Sequence, residues 1–237
     1  MPVSQNEPSL AAAKSLVYVI DDDESQRMAL SSLLRSIGLA TELFGSCDEF
    51  LRFERPEIPS CLLLDIRLQG YSGLVFQSQE VLQRKPVPIV FITAHGDVWM
   101  CAKAMKAGAV DFLTKPLREQ EVLDAVTLGI ERDAIRRHRI ATNADLQRRY
   151  DSLTPREREV MSHVLLGALN KQIAADLEVS EVTVKMHRGQ VMHKMGSRTV
   201  ADLVQKAGLL GLARFPRVQP AGSYVDDPDA VYTGAVM

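Results

Sequence analysis

The chain has 237 residues, 46% hydrophobic and 24% charged, with a formal net charge of −2, an ordinary balance for a globular protein of one large or two smaller domains. No apolar run approaches the ~18 residues of a membrane span, and the opening MPVSQNEPSLAAAKS lacks the basic stretch and apolar core of a secretion signal. The three cysteines, Cys47, Cys61 and Cys101, follow no metal-ligand spacing; they read as free thiols, and the expectation is a cytoplasmic protein without a membrane partner.

Charge is unevenly spread. Residues 1–130 carry 12 Lys and Arg against 17 Asp and Glu, and residues 131–217 carry 16 against 10. The last twenty residues carry 3 carboxylates and no Lys or Arg. An acidic front and a basic second segment divide the chain in two and suit the second part to an anionic partner. A solvated basic face has the same composition.

From residue 16 to about 115, β-rich runs alternate with helical patterns. The runs are SLVYVI (15–20), LATELF (39–44), CLLLDI (61–66), PIVFIT (88–93) and AVDFLT (109–114). Several are apolar almost throughout, as strands covered on both faces are. Helix-period segments lie between them at 25–37, 46–54, 74–84 and 97–107, and Gly38, Gly45, Gly70, Gly73, Gly96 and Gly108 mark the junctions. The pattern predicts an α/β fold with a five-stranded, doubly wound parallel sheet. A fifth helical pattern (118–140) places Val122, Ala125, Val126, Gly129, Ile130 and Ile135 near one face, with the basic cluster at 136–139 read as solvated surface. The expected divisions are a flexible N-terminus (1–14), an α/β domain (15–135), a linker helix (136–150), an all-α domain of four short helices (151–212) and a Pro/Gly/Asp-rich disordered tail (213–237).

Ligands of parallel α/β sheets gather beyond the carboxyl ends of the strands. The first strand exits into Asp21, Asp22, Asp23 and Glu24, the third into Asp65, the fourth at Thr93 and the fifth at Thr114, Lys115 and Pro116. Clustered carboxylates repel one another, and Mg²⁺, which accepts a few carboxylate oxygens and keeps its waters for phosphate, relieves that repulsion. Asp65 is then placed to act as a carboxylate nucleophile toward a phosphoryl group, with Lys115 neutralising its charge and Thr93 donating a hydrogen bond. Each residue also has a plainer reading: Asp22 or Asp23 as a helix cap, Thr93 as a β-branched strand residue, Lys115 as a surface lysine. Their joint arrival at the strand exits favours the site.

The segments VIDDDE, LLLDIRLQGYSG, VFITAHGD and AGAVDFLTKP resemble the receiver domain of two-component response regulators, over roughly residues 15–135. The resemblance implies a CheY/flavodoxin-like fold in which Asp21 and Asp22 help bind Mg²⁺ together with Asp65 and the backbone carbonyl of Arg67. It implies that Asp65 accepts phosphate from a sensor histidine kinase, that Thr93 and Lys115 hold the phosphoryl group, and that Phe112 is the aromatic switch position. It also implies a cis Lys115–Pro116 bond.

In the basic half, SLTPREREVMSHVLLG opens with a capping box: Thr154 at the N-cap, Pro155 at the first helical position and Glu157 at the third. NKQIAADLEVS and EVTVKMHRGQVMHKMG come next, with Asn170 and Ser180 as caps and the small Ala174 where two helices meet, a helix-turn-helix pattern. In the helix from Glu181, Val184, His187, Val191 and Met195 form an inward stripe. Val182, Lys185, Met186, Gly189 and His193 lie opposite, with Glu181 and Arg188 on the flank. Lys185 and Arg188 suit the major groove, and Lys171, Thr183 and Lys194 suit phosphates. These segments resemble the four-helix LuxR/NarL-type DNA-binding domain over roughly 150–210. The resemblance puts Lys185, Met186 and Gly189 at base-contacting positions and dimerisation near residues 198–207. Gly189 departs from the usual larger residue and weakens the helix by ~1 kcal/mol relative to Ala; either the backbone approaches DNA there, or Arg188 takes over the contact.

Together the two parts resemble the FixJ-type response regulators. The expected function is non-enzymatic: phosphorylation of Asp65 gates dimerisation and sequence-specific DNA binding to control transcription, with RNA polymerase as a further partner. Two competitors are a Mg²⁺-dependent phosphohydrolase, which usually carries a second acid where Arg67 stands, and a constitutive DNA-binding protein with an inert receiver.

Overall fold

The computed structural model describes residues 14–68, 71–77, 85–94 and 98–212. The expected disordered tail (213–237), nearly all of the expected flexible N-terminus, the second half of the 74–84 segment, Gly70 and Gly96 lie outside the described residues. The chain divides into two compact units between Ala141 and Thr142. No helix among the described residues is long and apolar enough to cross a membrane.

The first unit holds strands β1 (Leu16–Ile20), β2 (Ala40–Phe44), β3 (Ser60–Asp65), β6 (Ile89–Thr93) and β7 (Asp111–Thr114), all parallel, in the order β2-β1-β3-β6-β7. The order reverses between β1 and β3, so a ligand crevice is expected at the carboxyl ends of those two strands. A two-residue ribbon, β4 (Arg67–Leu68) with β5 (Tyr71–Ser72), lies in the loop after β3 and is absent from the sequence expectation. Helices α1 (Glu24–Ser36), α2 (Cys47–Arg52), α3 (Gly73–Gln77) and α4 (Val98–Lys106) alternate with the strands.

Alternate residues of each buried strand face opposite ways, which divides the core into two layers. Tyr18, Leu62, Leu64 and Phe91 pack with Phe44, Phe50 and Phe76 on one face. Val17, Val19, Cys61, Leu63 and Val90 pack with Leu30, Leu34, Val122 and Val126 on the other. Burial pushes the Cys47 thiol up to about 11 and the Cys61 thiol up to about 12, so neither is a reactive thiolate near neutral pH.

Helix α5 (Glu119–Asp151) is continuous over 33 residues and crosses the boundary between the units. Its inward stripe departs from expectation at its second half. Ile135 is exposed, and Asp133, at 0% exposure, continues the line of Val122, Val126 and Gly129. The Asp133 carboxylate accepts from the Ser60 amide (3.0 Å), from Arg136 Nε and Nη2 (2.9 and 2.6 Å) and from Arg137 Nε (2.7 Å). Arg136 and Arg137 are therefore not simply solvated surface; only His138 and Arg139 of the basic cluster are exposed. The helix is pinned by charge where apolar contact ends. Gly129 has no room for a side chain: an added Cβ would collide with Cys61 Sγ.

The second unit contains α6 (Pro155–Leu165), α7 (Asn170–Asp176), α8 (Glu181–Lys194) and α9 (Val200–Leu209) around Leu153, Val160, Met161, Ile173, Val184, Val191, Met195 and Leu203. Thr154 and Glu157 form the reciprocal capping box, and Ser180 Oγ accepts from the Thr183 amide. Asn170 does not cap α7. It is already the first helical residue, and its Oδ1 accepts from Arg188 Nη1 at 2.6 Å, tying α7 to α8. Arg156 Nη2 donates to the Leu177 carbonyl, fixing α6 to the turn between those helices.

Asp133→Ala is expected to lower the stability of the first unit by about 3–5 kcal/mol, because it leaves the Ser60 amide and two guanidinium groups without their buried partner. Denaturant unfolding followed by Trp99 fluorescence measures it. Gly129→Ala is expected to cost about 1–2 kcal/mol in the same assay, overpacking against Cys61 outweighing the helical preference of Ala.

Candidate functional site

The crevice at the β1/β3 reversal is built from three strand exits. Asp21 follows β1 and is 2% exposed; Asp65 ends β3 and is 7% exposed. Lys115 follows β7, positioned by its amide donating to the Thr93 carbonyl (2.8 Å) beside the Thr93–Thr114 register pair. Its ammonium bridges the carboxylates, with Nζ 2.9 Å from Asp21 Oδ2 and 2.7 Å from Asp65 Oδ2. The remaining oxygens accept backbone amides: Asp21 Oδ1 from Asp23 N and Asp65 Oδ1 from Arg67 N, each at 2.9 Å. Burial disfavours the Lys115 charge, but the bonds to Asp21 and Asp65 outweigh it and raise its pKa.

The loop after Asp65 depends on a missing side chain. A Cβ on Gly73 would stand 2.9 Å from the Asp65 carbonyl oxygen and 3.2 Å from Ile66 Cα, and the Gly73 amide donates to the Ile66 carbonyl (3.0 Å). A glycine closes LLLDIRLQGYSG because the chain folds back directly over the residue carrying the carboxylate.

The sequence-predicted residues separate here. Asp21, Asp65 and Lys115 converge, and Thr93 lies fully buried at the end of β6. Asp22 is exposed and outside the hydrogen-bonded group. Asp23 caps α1, its Oδ1 accepting from Ser25 N (2.8 Å) and Gln26 N (3.4 Å), which settles the capping choice in its favour. Arg67 is exposed, and Phe112 is half-buried against the layer that contains Phe91 and Ala104. Lys115–Pro116 is cis. Among the described residues no group of three or more His, Cys, Asp and Glu forms a metal-binding cluster. The donor chemistry nonetheless fits Mg²⁺: hard carboxylate oxygens, two of them nearly buried, for an ion that rarely takes an all-protein cage.

In the second unit α8 turns Val184, Val191 and Met195 inward and leaves Lys185, Gly189, His193, Val182 (79%) and Met186 (56%) exposed; His187 is half-buried. Lys171 on α7 is exposed as well. Three other expected DNA contacts have internal partners. Arg188 holds Asn170, the Thr183 hydroxyl is 2.9 Å from Ser180 Oγ, and Lys194 Nζ lies 2.6 Å from Glu157 Oε2. Burial would raise the Glu157 pKa, but Lys194 and the Thr154 amide hold it below the usual carboxylate range. The unforeseen Glu157–Lys194 pair joins the capping box of α6 to the end of α8; the nearly buried Glu157 is the signal that a distant cation must come to it.

Comparison with known proteins agrees with this division. Residues 17–127 match the response regulator receiver domain, and residues 151–207 match the luxR family of bacterial regulatory proteins. Nodulation protein W of Bradyrhizobium diazoefficiens is 48% identical over 203 residues, covering 86% of this chain and 89% of that protein. Transcriptional regulatory protein FixJ of the same organism is 35% identical over 199 residues, covering 84% and 97%. The solved structure of response regulator StyR superposes with a TM-score of 0.75 at 46% identity, covering 83% of this chain and 99% of that one. Two ordered domains, a five-stranded receiver followed by a LuxR-type helical domain, thus place this chain among the FixJ-type response regulators of two-component systems, the transcription regulators that a sensor kinase controls.

Proposed function

We propose that Asp65 is the phosphoacceptor and that its modification controls DNA binding by α8. The observation that carries this reading is the Lys115 ammonium shared between Asp21 and Asp65 at two strand exits. An Asp65 carboxylate oxygen takes the phosphoryl group from a phosphohistidine of the kinase, and the bond from phosphorus to the imidazole nitrogen breaks. Lys115, already within 2.7 Å of Asp65 Oδ2, neutralises charge on the transferred group. Asp21, Asp22, Asp65 and the Arg67 carbonyl would hold Mg²⁺, which supplies charge neutralisation for the phosphoryl oxygens. Thr93 then moves toward the phosphoryl group and the Phe112 ring takes up the vacated space, a local change of charge read by a two-state element.

The output is dimerisation and occupation of two DNA half-sites in the cytoplasm, where RNA polymerase is the further partner. Lys185, Met186 and Gly189 face the base edges and Lys171 a phosphate. Arg188, Thr183 and Lys194 reach DNA only by exchanging their present partners.

A gel shift tests the switch, using a duplex selected by the full-length protein from a random library. Acetyl phosphate with Mg²⁺ is expected to tighten wild-type binding, while EDTA or Asp65→Asn removes the stimulation. Equal stimulation of Asp65→Asn would leave the receiver inert. Gly189→Ala separates the two readings of the DNA face. An added Cβ meets nothing within 4 Å, so the variant is expected to stabilise α8 by ~1 kcal/mol in thermal unfolding. If the backbone approaches DNA at Gly189, the same variant weakens binding; Lys185→Ala is expected to cost about 1–3 kcal/mol of affinity at its base pair.

A further inference from the structure

At the opposite edge of the sheet from Asp65 lies a cavity of about 400 Å³, within the size range of small-molecule sites. It is lined by Arg55 and Glu57 before β3, by Lys85 before β6, and by Arg136, Arg137 and Ile140 of α5. The length of β3 separates it from Asp65 by roughly 17 Å.

Its charges do not balance. Arg137 is shared by Asp133 and Glu57 (Nη1 to Oε2, 2.6 Å), Arg136 is held by Asp133, and Lys85 stands 4.0 Å from Glu57. Four cationic side chains thus meet two carboxylates. Arg55 is the one left over: it is half-buried, stacks on Phe50 with its guanidinium carbon 5.3 Å from the ring centre, and has no hydrogen bond or ion pair with a described residue. Burial lowers its pKa; the attractions of Tyr18 and Glu57, opposed by the neighbouring Arg137 and Arg136, do not make up for it. Tyr18 packs edge-on against the same Phe50 ring, its buried hydroxyl beside Ser60. A half-buried guanidinium whose N–H groups make no direct ion pair with a described residue is left with unused donors, and its fork matches the paired oxygens of a carboxylate or phosphate.

We infer that this cavity binds a small organic oxyanion, a carboxylate or a phosphate monoester, between the Arg55 guanidinium and the Lys85 ammonium. Pro86, Ile140, Ala141 and the aliphatic stems of the arginines receive its apolar body. Bound there, it ties the segments before β3 and β6 to one stretch of α5. This inference does not rest on phosphorylation of Asp65.

The test uses the full chain carrying Asp65→Asn, so that the phosphoacceptor is silent. Inorganic phosphate and benzoate are titrated separately at constant ionic strength in chloride, and the arginine Nε–H signals are followed by NMR. At least one anion is expected to shift the Arg55 signal saturably; phosphate alone assigns a phosphate ester, benzoate alone a carboxylate, and both a shared oxyanion site. Arg55→Gln, and separately the exposed Lys85→Gln, are expected to weaken that anion about tenfold, the loss of one charge-assisted hydrogen bond. Shifts that never saturate, that chloride reproduces, or that both variants leave unchanged would overturn the assignment.

Discussion

Two carboxylates, Asp21 and Asp65, are held nearly out of water within reach of one ammonium. Alone their like charges would repel. Lys115 offsets that repulsion, and two backbone amides take the remaining oxygens. One ammonium set against two carboxylates leaves a hard oxygen donor set whose chemistry suits a divalent cation. The parallel sheet exists in this form because its order reverses between β1 and β3, which sets those two exits side by side. The β6–β7 register then delivers Lys115 to the same edge.

The same principle of pairing buried charge recurs away from the site. Asp133 gathers Ser60, Arg136 and Arg137 and fixes α5 to the amino end of β3. Glu157 gathers Lys194 and the Thr154 amide and fixes α6 to α8. In each unit a nearly buried carboxylate orients a helix that apolar contacts alone would leave free to turn. Lys185, Met186 and Gly189 stay exposed on the outer face of α8.

Sequence patterns reach the sheet and the anionic crevice because both depend on short-range signals. Near-continuous apolar runs mark strands covered on both sides, and in a parallel sheet the residues leaving the carboxyl end of each run arrive at one edge. Asp21, Asp65, Thr93 and Lys115 are legible for that reason. Asp133 is not, because a carboxylate in a basic helical stretch looks like an ordinary surface i,i+3 or i,i+4 partner; that it is buried depends on Ser60, 73 residues earlier. Ile135 misleads in the opposite sense, apolar yet exposed beside that clamp. Asn170 has the composition of a cap, but Arg188 from the next helix takes its oxygen. Lys194 reads as a phosphate contact until Glu157 is found buried against it. Long-range pairing of charge is what local periodicity omits.

On the function proposed above, this crevice makes Asp65, and no neighbouring carboxylate, the acceptor of a phosphoryl group. Borohydride trapping addresses it directly, since reduction of an aspartyl phosphate converts that aspartate to homoserine, which peptide mass spectrometry locates. After incubation of the full chain with acetyl phosphate and Mg²⁺, homoserine is expected at position 65 and not at 21, 22 or 23. Homoserine at one of those three positions, or unmodified Asp65 under conditions that phosphorylate a control receiver, would contradict the account.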